Sequence, residues 1–238
     1  PDLDRHCARV NRSAEALMLT PTQTQDAMVE AIREGLEGFA PDAAIYIRPM
    51  YWGIHGSELG LVPSGEETGF AICLEEVPMH APDRTTTLTT TRFRRPVLED
   101  AVCDAKAGCL YPNNARMLAE AQRAGFGNAL VADALGNVAE SATSNVFMVR
   151  DGIVATPIPN GTFLNGITRQ RVIKLLREAG MEVVETTLTL DDFRAADEVF
   201  STGNASKVVP VWKFDEVEYG PGPVAKRARE LYWDFAHA

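Results

Sequence analysis

The sequence predicts an α+β fold in two parts, on three observations. Helical stripes and tight hairpins share one chain without the regular βαβ alternation that a doubly wound parallel sheet requires. The dipeptides Gly136-Asn137 and Asp151-Gly152 each sit between short β-prone runs, the pattern of an antiparallel hairpin. The run Pro78-Met79-His80-Ala81-Pro82-Asp83-Arg84 puts two prolines and a turn residue together, which interrupts backbone hydrogen bonding and marks a linker.

In chain order, residues 6–19 read as a helix that breaks at Thr20-Pro21. A second helix starts near Thr24, where Ala27, Met28, Ala31, Ile32 and Leu36 recur at helical spacing, and Gly35 and Gly38 weaken its end. Residues 44–50 read as a strand in which Tyr46 and Arg48, two apart, share a face. A second strand, 69–77, follows a Gly/Ser/Glu loop. These elements predict a small N-terminal α/β domain over 1–77, with 78–84 as the linker.

The larger C-terminal domain, 85–238, opens on the β-prone run 85–93. A helix over 113–125 stops at Gly125. Strands 129–134 and 138–142 flank the first hairpin turn, and 145–149 and 153–156 flank the second. An amphipathic helix over 168–179 ends at Gly180, strands follow at 181–188 and 198–201, and a helix over 224–235 closes the chain.

Composition narrows the function. The 238 residues carry a net charge of −10 with both signs interspersed, which argues against a nucleic-acid surface, since that needs a basic stripe. An anionic ligand must be bound by local donors rather than by the overall field. No apolar run approaches the ~20 residues that span a bilayer, and Pro1-Asp2-Leu3-Asp4-Arg5-His6 is no signal peptide. Cys7, Cys73, Cys103 and Cys109 lack CxxC spacing and read as free thiols, so a reducing, cytoplasmic setting is expected. His6, His55, His80 and His237 are scattered, so no metal site is expected.

Lys106, in Asp104-Ala105-Lys106-Ala107-Gly108, has small neighbours that leave room for something bulky. A lysine can form an imine with an aldehyde, Tyr111 can hydrogen-bond a phenolic oxygen, and Glu140 can hold a ring nitrogen protonated. Taken singly, a lone lysine is usually a solvated surface residue, and Glu140 reads also as a carboxylate at a strand end. Leu164-Asn165-Gly166-Ile167-Thr168-Arg169 opens a helix, whose first N–H groups suit a phosphate or serve only as an ordinary cap. Thr202-Gly203-Asn204-Ala205-Ser206 is a second such cup after a strand, or an ordinary loop. Tyr46 and Arg48 together can bind a carboxylate, or form the half-exposed face of a sheet.

In this order, the segments resemble the fold-type IV pyridoxal-phosphate-dependent aminotransferases, most closely the branched-chain amino acid aminotransferases. The likeness is densest over 104–210, through Asn137-Val138-Ala139-Glu140-Ser141, Asn145-Val146-Phe147, the Leu164–Arg169 run and Asp197-Glu198-Val199-Phe200-Ser201-Thr202-Gly203. It implies the two-domain, D-amino acid aminotransferase-like fold, with a β-barrel-like sheet and helices in the large domain. It makes Lys106 the Schiff-base lysine and proton shuttle, pairs Glu140 with the pyridine nitrogen and Tyr111 with the phenolic oxygen, and packs Leu164 on the ring. Arg9, Gly166, Ile167, Thr168, Gly203 and Asn204 would grip the phosphate, and Tyr46, Arg48 and Ala205 the substrate.

The implied reaction is transamination of leucine, isoleucine or valine with 2-oxoglutarate, by a homodimer or larger homo-oligomer. Relatives acting on D-amino acids, (R)-amines or aminodeoxychorismate are the neighbouring alternatives, and a non-catalytic binding module is the alternative of another class. Family chains carry a further segment before the position of Pro1, so this chain is expected to be part of a longer protein. Asn204 stands where many relatives have threonine. The 141–144 and 52–56 loops also depart from the family pattern, which bears on the substrate rather than the reaction.

Overall fold

The computed structural model describes residues 1–220 and 222–238. They cluster into two compact units, Pro1–Met79 with Ala105–Ala107, and His80–Asp104 with Gly108–Ala238. The division is not linear in sequence: the segment bearing Lys106 is counted with the first unit, whereas the sequence assigns everything from residue 85 to the second domain.

In the first unit, α1 (Leu3–Ala16) ends earlier than expected because Met18 turns left-handed at φ 62°. Helix α2 (Gln25–Leu36) starts where Thr24 Oγ1 accepts the Ala27 N–H at 3.2 Å. Strands β1 (Ile45–Gly53) and β2 (Thr68–Glu76) pair antiparallel with Ile47 opposite Leu74 and Tyr51 opposite Phe70. Ile47, Tyr51, Phe70 and Ile72 pack on buried Cys7, Met28 and Ile32, so this face of the ribbon covers the helices. Strand alternation then sends Tyr46, Arg48 and Trp52 to the other face. Tyr51 locks the layers by donating to Asn11 Oδ1 and accepting from the Gln23 N–H, both at 3.1 Å.

The second unit contains β3 (Thr86–Thr90), α3 (Tyr111–Arg123), β4 (Asn128–Ala132), β5 (Val138–Ser141), β6 (Asn145–Arg150), β7 (Ile153–Pro157) and α4 (Ile167–Glu178). It continues through β8 (Val183–Thr186), α5 (Leu190–Arg194), β9 (Glu198–Gly203), β10 (Lys207–Phe214), β11 (Val217–Glu218) and α6 (Pro223–His237). The main path of the sheet runs β5-β4-β3-β10-β9-β6-β7-β8, with β11 on β10. Its two ends meet: the Val138 N–H on β5 donates to the Leu188 carbonyl just beyond β8 at 2.7 Å, beside a bridge between Asn137 and Thr189. The sheet therefore curls on itself, as the barrel-like expectation requires.

Alternation along β6 and its neighbours builds a core on each face of the sheet, and Ala129 and Val131 of β4 pack with Met117 and Ala121 of α3 in a third. Val146 and Met148 point inward with Leu88, Leu130, Val199, Val211 and Phe214. Phe147 and Val149 point outward with Phe200 and Val208 and are covered by α4 and α6 through Val172, Leu176, Ala225 and Tyr232. The Phe147 and Phe200 rings stack at 4.8 Å. Each such side chain contributes roughly 1.5–3 kcal/mol on burial, enough to fix which face of β6 looks at α4. That choice points Asn145, two residues before Phe147, toward the same helix.

The two hairpins differ from each other. Asp151 and Gly152 both lie left-handed, at φ 52° and 77°, as a two-residue primed turn demands. The β4–β5 connection is longer than Gly136-Asn137 alone: Ala132 pairs with Val138, and Asp133 Oδ1 accepts the N–H groups of Leu135 and Asn137, each at 2.9 Å. An aspartate here holds a five-residue loop that a dipeptide signal under-reads.

Candidate active site

The residues expected to form a site fall into both units, and each unit assembles its own share. In the second, Asn145 is the centre. It is buried at the start of β6, and its Nδ2 donates to the Leu164 carbonyl at 2.8 Å and to Glu140 Oε2 at 3.3 Å. Its Oδ1 accepts the Gly166 N–H at 3.2 Å. The amide orientation follows from these partners, since a carbonyl and a carboxylate need donors and an N–H needs an acceptor. A single carboxamide thus joins Glu140 to the loop that opens α4.

Gly166 is the N-cap of α4 and offers no side-chain cap, so the first-turn amides of Ile167 and Thr168 keep their donors for another partner. Glycine is required there: a Cβ on Gly166 would run into Asn145 Oδ1. Ile167 and Thr168 are buried, while Leu164 is half-buried. On β9, Thr202 lies opposite Asn145, and its Oγ1 is buried without a hydrogen-bond partner among the described residues. Gly203 follows beside Ser144, where an added Cβ would make ordinary contact with the serine Cβ at 3.6 Å. Asn204 and Ala205 are exposed in the loop before β10. Lys207, left-handed at φ 60°, brings its Nζ to 3.5 Å from Asn204 Oδ1, and burial pushes its amine below the usual lysine range.

Glu140 is itself buried and ion-paired. Its Oε1 meets Arg95 Nη2 at 2.9 Å. Arg95 also donates to Asn114 Oδ1 at 2.7 Å, which ties the first turn of α3 to the same acid. Tyr111 opens that turn and is half exposed.

In the first unit, Lys106 is exposed between buried Ala105 and Ala107. Ala105 and Ala107 present only methyl groups on either side of it, and the Lys106 N–H donates to Ser13 Oγ at 3.0 Å. Gly108 is counted with the second unit, and an added Cβ there would meet nothing within 4 Å. Arg9, on α1, lies 3.2 Å from His6 Nδ1. Tyr46 is half-buried and Arg48 exposed on the ribbon face turned from the helices.

Asn145 and Arg95 were not singled out by sequence reasoning, because each acts through partners distant in the chain. Among the described residues, no group of three or more His, Cys, Asp and Glu could hold a metal ion, and no helix is long and apolar enough to cross a membrane. The second-unit cluster offers free helix amides and a partnerless buried hydroxyl on one side of Asn145 and a fixed carboxylate on the other. It suits a ligand with an anionic end and a basic ring atom.

Comparison with known proteins agrees in kind. The family model described as amino-transferase class IV matches residues 1–214. A branched-chain-amino-acid aminotransferase of Pseudomonas aeruginosa is 32% identical over 240 residues, spanning 98% of this chain and 77% of the relative. The crystal structure of a Brucella abortus aminotransferase bound to the co-factor PLP superposes with a TM-score of 0.97 at 63% identity, covering 100% of this chain and 85% of that one. A branched-chain amino acid aminotransferase of T.th., complexed with N-(5'-phosphopyridoxyl)-L-glutamate, gives a TM-score of 0.88 at 34% identity, covering 98% and 77%.

Proposed function

The chain belongs to the class IV aminotransferases, and on that premise we propose that it uses pyridoxal phosphate to move the amino group of leucine, isoleucine or valine to 2-oxoglutarate. The observation that carries this reading is the Asn145 junction, which holds a buried acid and an uncapped helix start to one side chain. The match to the cofactor is chemical: a phosphate takes the amides of Ile167 and Thr168 and the partnerless hydroxyl of Thr202, and Glu140 takes the ring nitrogen. When bound, the cofactor supplies an electron sink for the charge left as the substrate loses its α-proton.

The chain's own residues have the following roles in the proposal. The Lys106 amine holds the cofactor covalently at rest, takes the α-proton, and returns it. Tyr111 donates to the phenolic oxygen. Arg9, Gly203 and Asn204 complete the phosphate grip, and Leu164 packs on the ring. Tyr46, Arg48 and Ala205 hold the substrate carboxylate. Branched-chain donors are supported by the Pseudomonas relative, and a glutamate/2-oxoglutarate partner by the adduct in the T.th. enzyme. A cytoplasmic homodimer completes the reading; the exposed Ile54, Leu59, Leu61 and Val62 are apolar surface that such an assembly would cover.

The test is Lys106→Ala. The wild-type protein reconstituted with cofactor should be yellow and should form keto acid from leucine, and the variant should lose both properties. Keto acid formed by the variant at the wild-type rate refutes the assignment. D-alanine and an (R)-amine, assayed beside leucine, separate the neighbouring substrate classes.

A further inference from the structure

We propose that Arg95 is a positioning residue for the reaction: by pairing with Glu140 it keeps that carboxylate ionised, so the proton shared between Glu140 and the cofactor's ring nitrogen stays on the nitrogen. The inference rests on the reading of Glu140 given above.

Arg95 and Glu140 are both buried, at 6% and 7% exposure. A carboxyl at that depth with no cation beside it favours its neutral form. Facing a pyridine nitrogen, a neutral carboxyl keeps the proton and donates a hydrogen bond, which leaves the ring uncharged and a weak electron acceptor. The Arg95 Nη2 contact at 2.9 Å reverses this preference. A ring proton held by Glu140 would face Arg95 across the carboxylate, whereas Arg95 touches the carboxylate oxygen directly. The attraction that stabilises the carboxylate therefore outweighs the repulsion on the ring.

The guanidinium is held for this purpose. The main-chain N–H of Arg95 donates to the Ala132 carbonyl at 2.9 Å, and Nη2 also reaches the carbonyls of Ser141 at 3.2 Å and Ala142 at 3.4 Å. Nη1 is fixed by Asn114 at 2.7 Å. Asn145 donates to the other carboxylate oxygen, so both oxygens of Glu140 are constrained. Cys103 lies in the field of both Arg95 and Glu140, and burial pushes its thiol up, so it stays neutral beside them.

The experiment is ¹⁵N NMR of enzyme reconstituted with cofactor labelled at the ring nitrogen, read beside steady-state kinetics. Wild-type protein should give a pyridinium signal across neutral pH. Arg95→Met should shift it toward neutral pyridine and lower kcat roughly 10- to 100-fold, the size of loss that follows removal of an outer-shell partner of a metal ligand. KM for the amino acid should stay within about threefold. Arg95→Lys restores the charge without the fork and should recover part of both. A neutral ring in the wild type, or a folded Arg95→Met with the wild-type signal and kcat, overturns the proposal. If Arg95→Met does not fold, Arg95→Gln carries the same expectation. Glu140→Gln separates the two levels: a wild-type signal and rate there sinks the reading of Glu140 itself, whereas a defect there with a normal Arg95→Met sinks only the role of Arg95.

Discussion

Replacing Asn145 with alanine should loosen the acid and the start of α4 together. The substitution removes donors from the Leu164 carbonyl and Glu140 Oε2 and an acceptor from the Gly166 N–H, at 2.8, 3.3 and 3.2 Å. A buried polar group left unpaired costs about 1–3 kcal/mol. Leu164 and Gly166 are half-buried, so water recovers part of that loss, and Glu140 keeps Arg95. The sum is roughly 2–4 kcal/mol, or about 5–15 °C in Tm for a chain of this size. Thermal unfolding with and without cofactor checks it, with cofactor affinity falling as well. Asn145→Asp should be worse than alanine at neutral pH, because it sets a second carboxylate beside Glu140 and cannot donate to Leu164. Gly166→Ala gives the sharpest control. Its Cβ collides with Asn145 Oδ1 in the wild type but has space in Asn145→Ala, so the two changes should be non-additive. Additive costs, or an Asn145→Ala protein within about 0.5 kcal/mol of wild type, would refute the reasoning.

Three further outcomes are expected. Thr202→Val removes a buried hydroxyl that has no partner, so the apoprotein should be unchanged or more stable by up to about 1 kcal/mol while cofactor affinity falls about tenfold; apo Tm and a binding titration read both signs. Thr189→Ala breaks the capping box of α5, costing about 1 kcal/mol at neutral pH. The Thr189 hydrogen bonds hold Asp192 below the usual aspartate range, so their contribution is complete above the ordinary value of ~3.9 and fades as pH falls through the lower folded value; urea midpoints of variant and wild type should converge in acid. Arg169→Met strips a cation that is 1% exposed from Glu185 at 2.9 Å, the Pro157 carbonyl at 2.8 Å and Asn165 Oδ1 at 2.9 Å, and burial already holds its proton affinity down. The Pro157 carbonyl is left buried without a donor, whereas Glu185 is 31% exposed and keeps Arg177 at 3.7 Å, so the cost should be about 1–3 kcal/mol, visible as a drop in urea midpoint.

Local chemistry made much of the fold legible. Asp151-Gly152 announced its turn because both positions need left-handed backbone, and Gly180 marked the end of α4 for the same reason at φ 80°. Strand β10 was not foreseen, since Pro210 inside Lys207–Phe214 argues against a central strand. The structure accommodates it because pairing with β3 begins only at Val211, so the missing N–H of Pro210 takes no hydrogen bond from that ladder. Helix α5 was hidden by its five-residue length, although Thr189 and Asp192 carry its cap. In the site, Glu140, Gly166 and Thr168 could be named from sequence because each ends or begins a local element. Asn145 and Arg95 could not, because the meaning of an asparagine at a strand start or an arginine before Pro96 depends on what the curled sheet brings beside it.

The contact from Val138 to Leu188 acts as a seam. A sheet that closes through so slender a join unzips there first, so exchange of the Val138 amide with heavy water should follow the opening of the curl rather than global unfolding. While the seam is shut, the Asn137–Val138 stretch of the rim is paired, and a variant that springs it should bare that stretch to a neighbouring molecule and aggregate more readily.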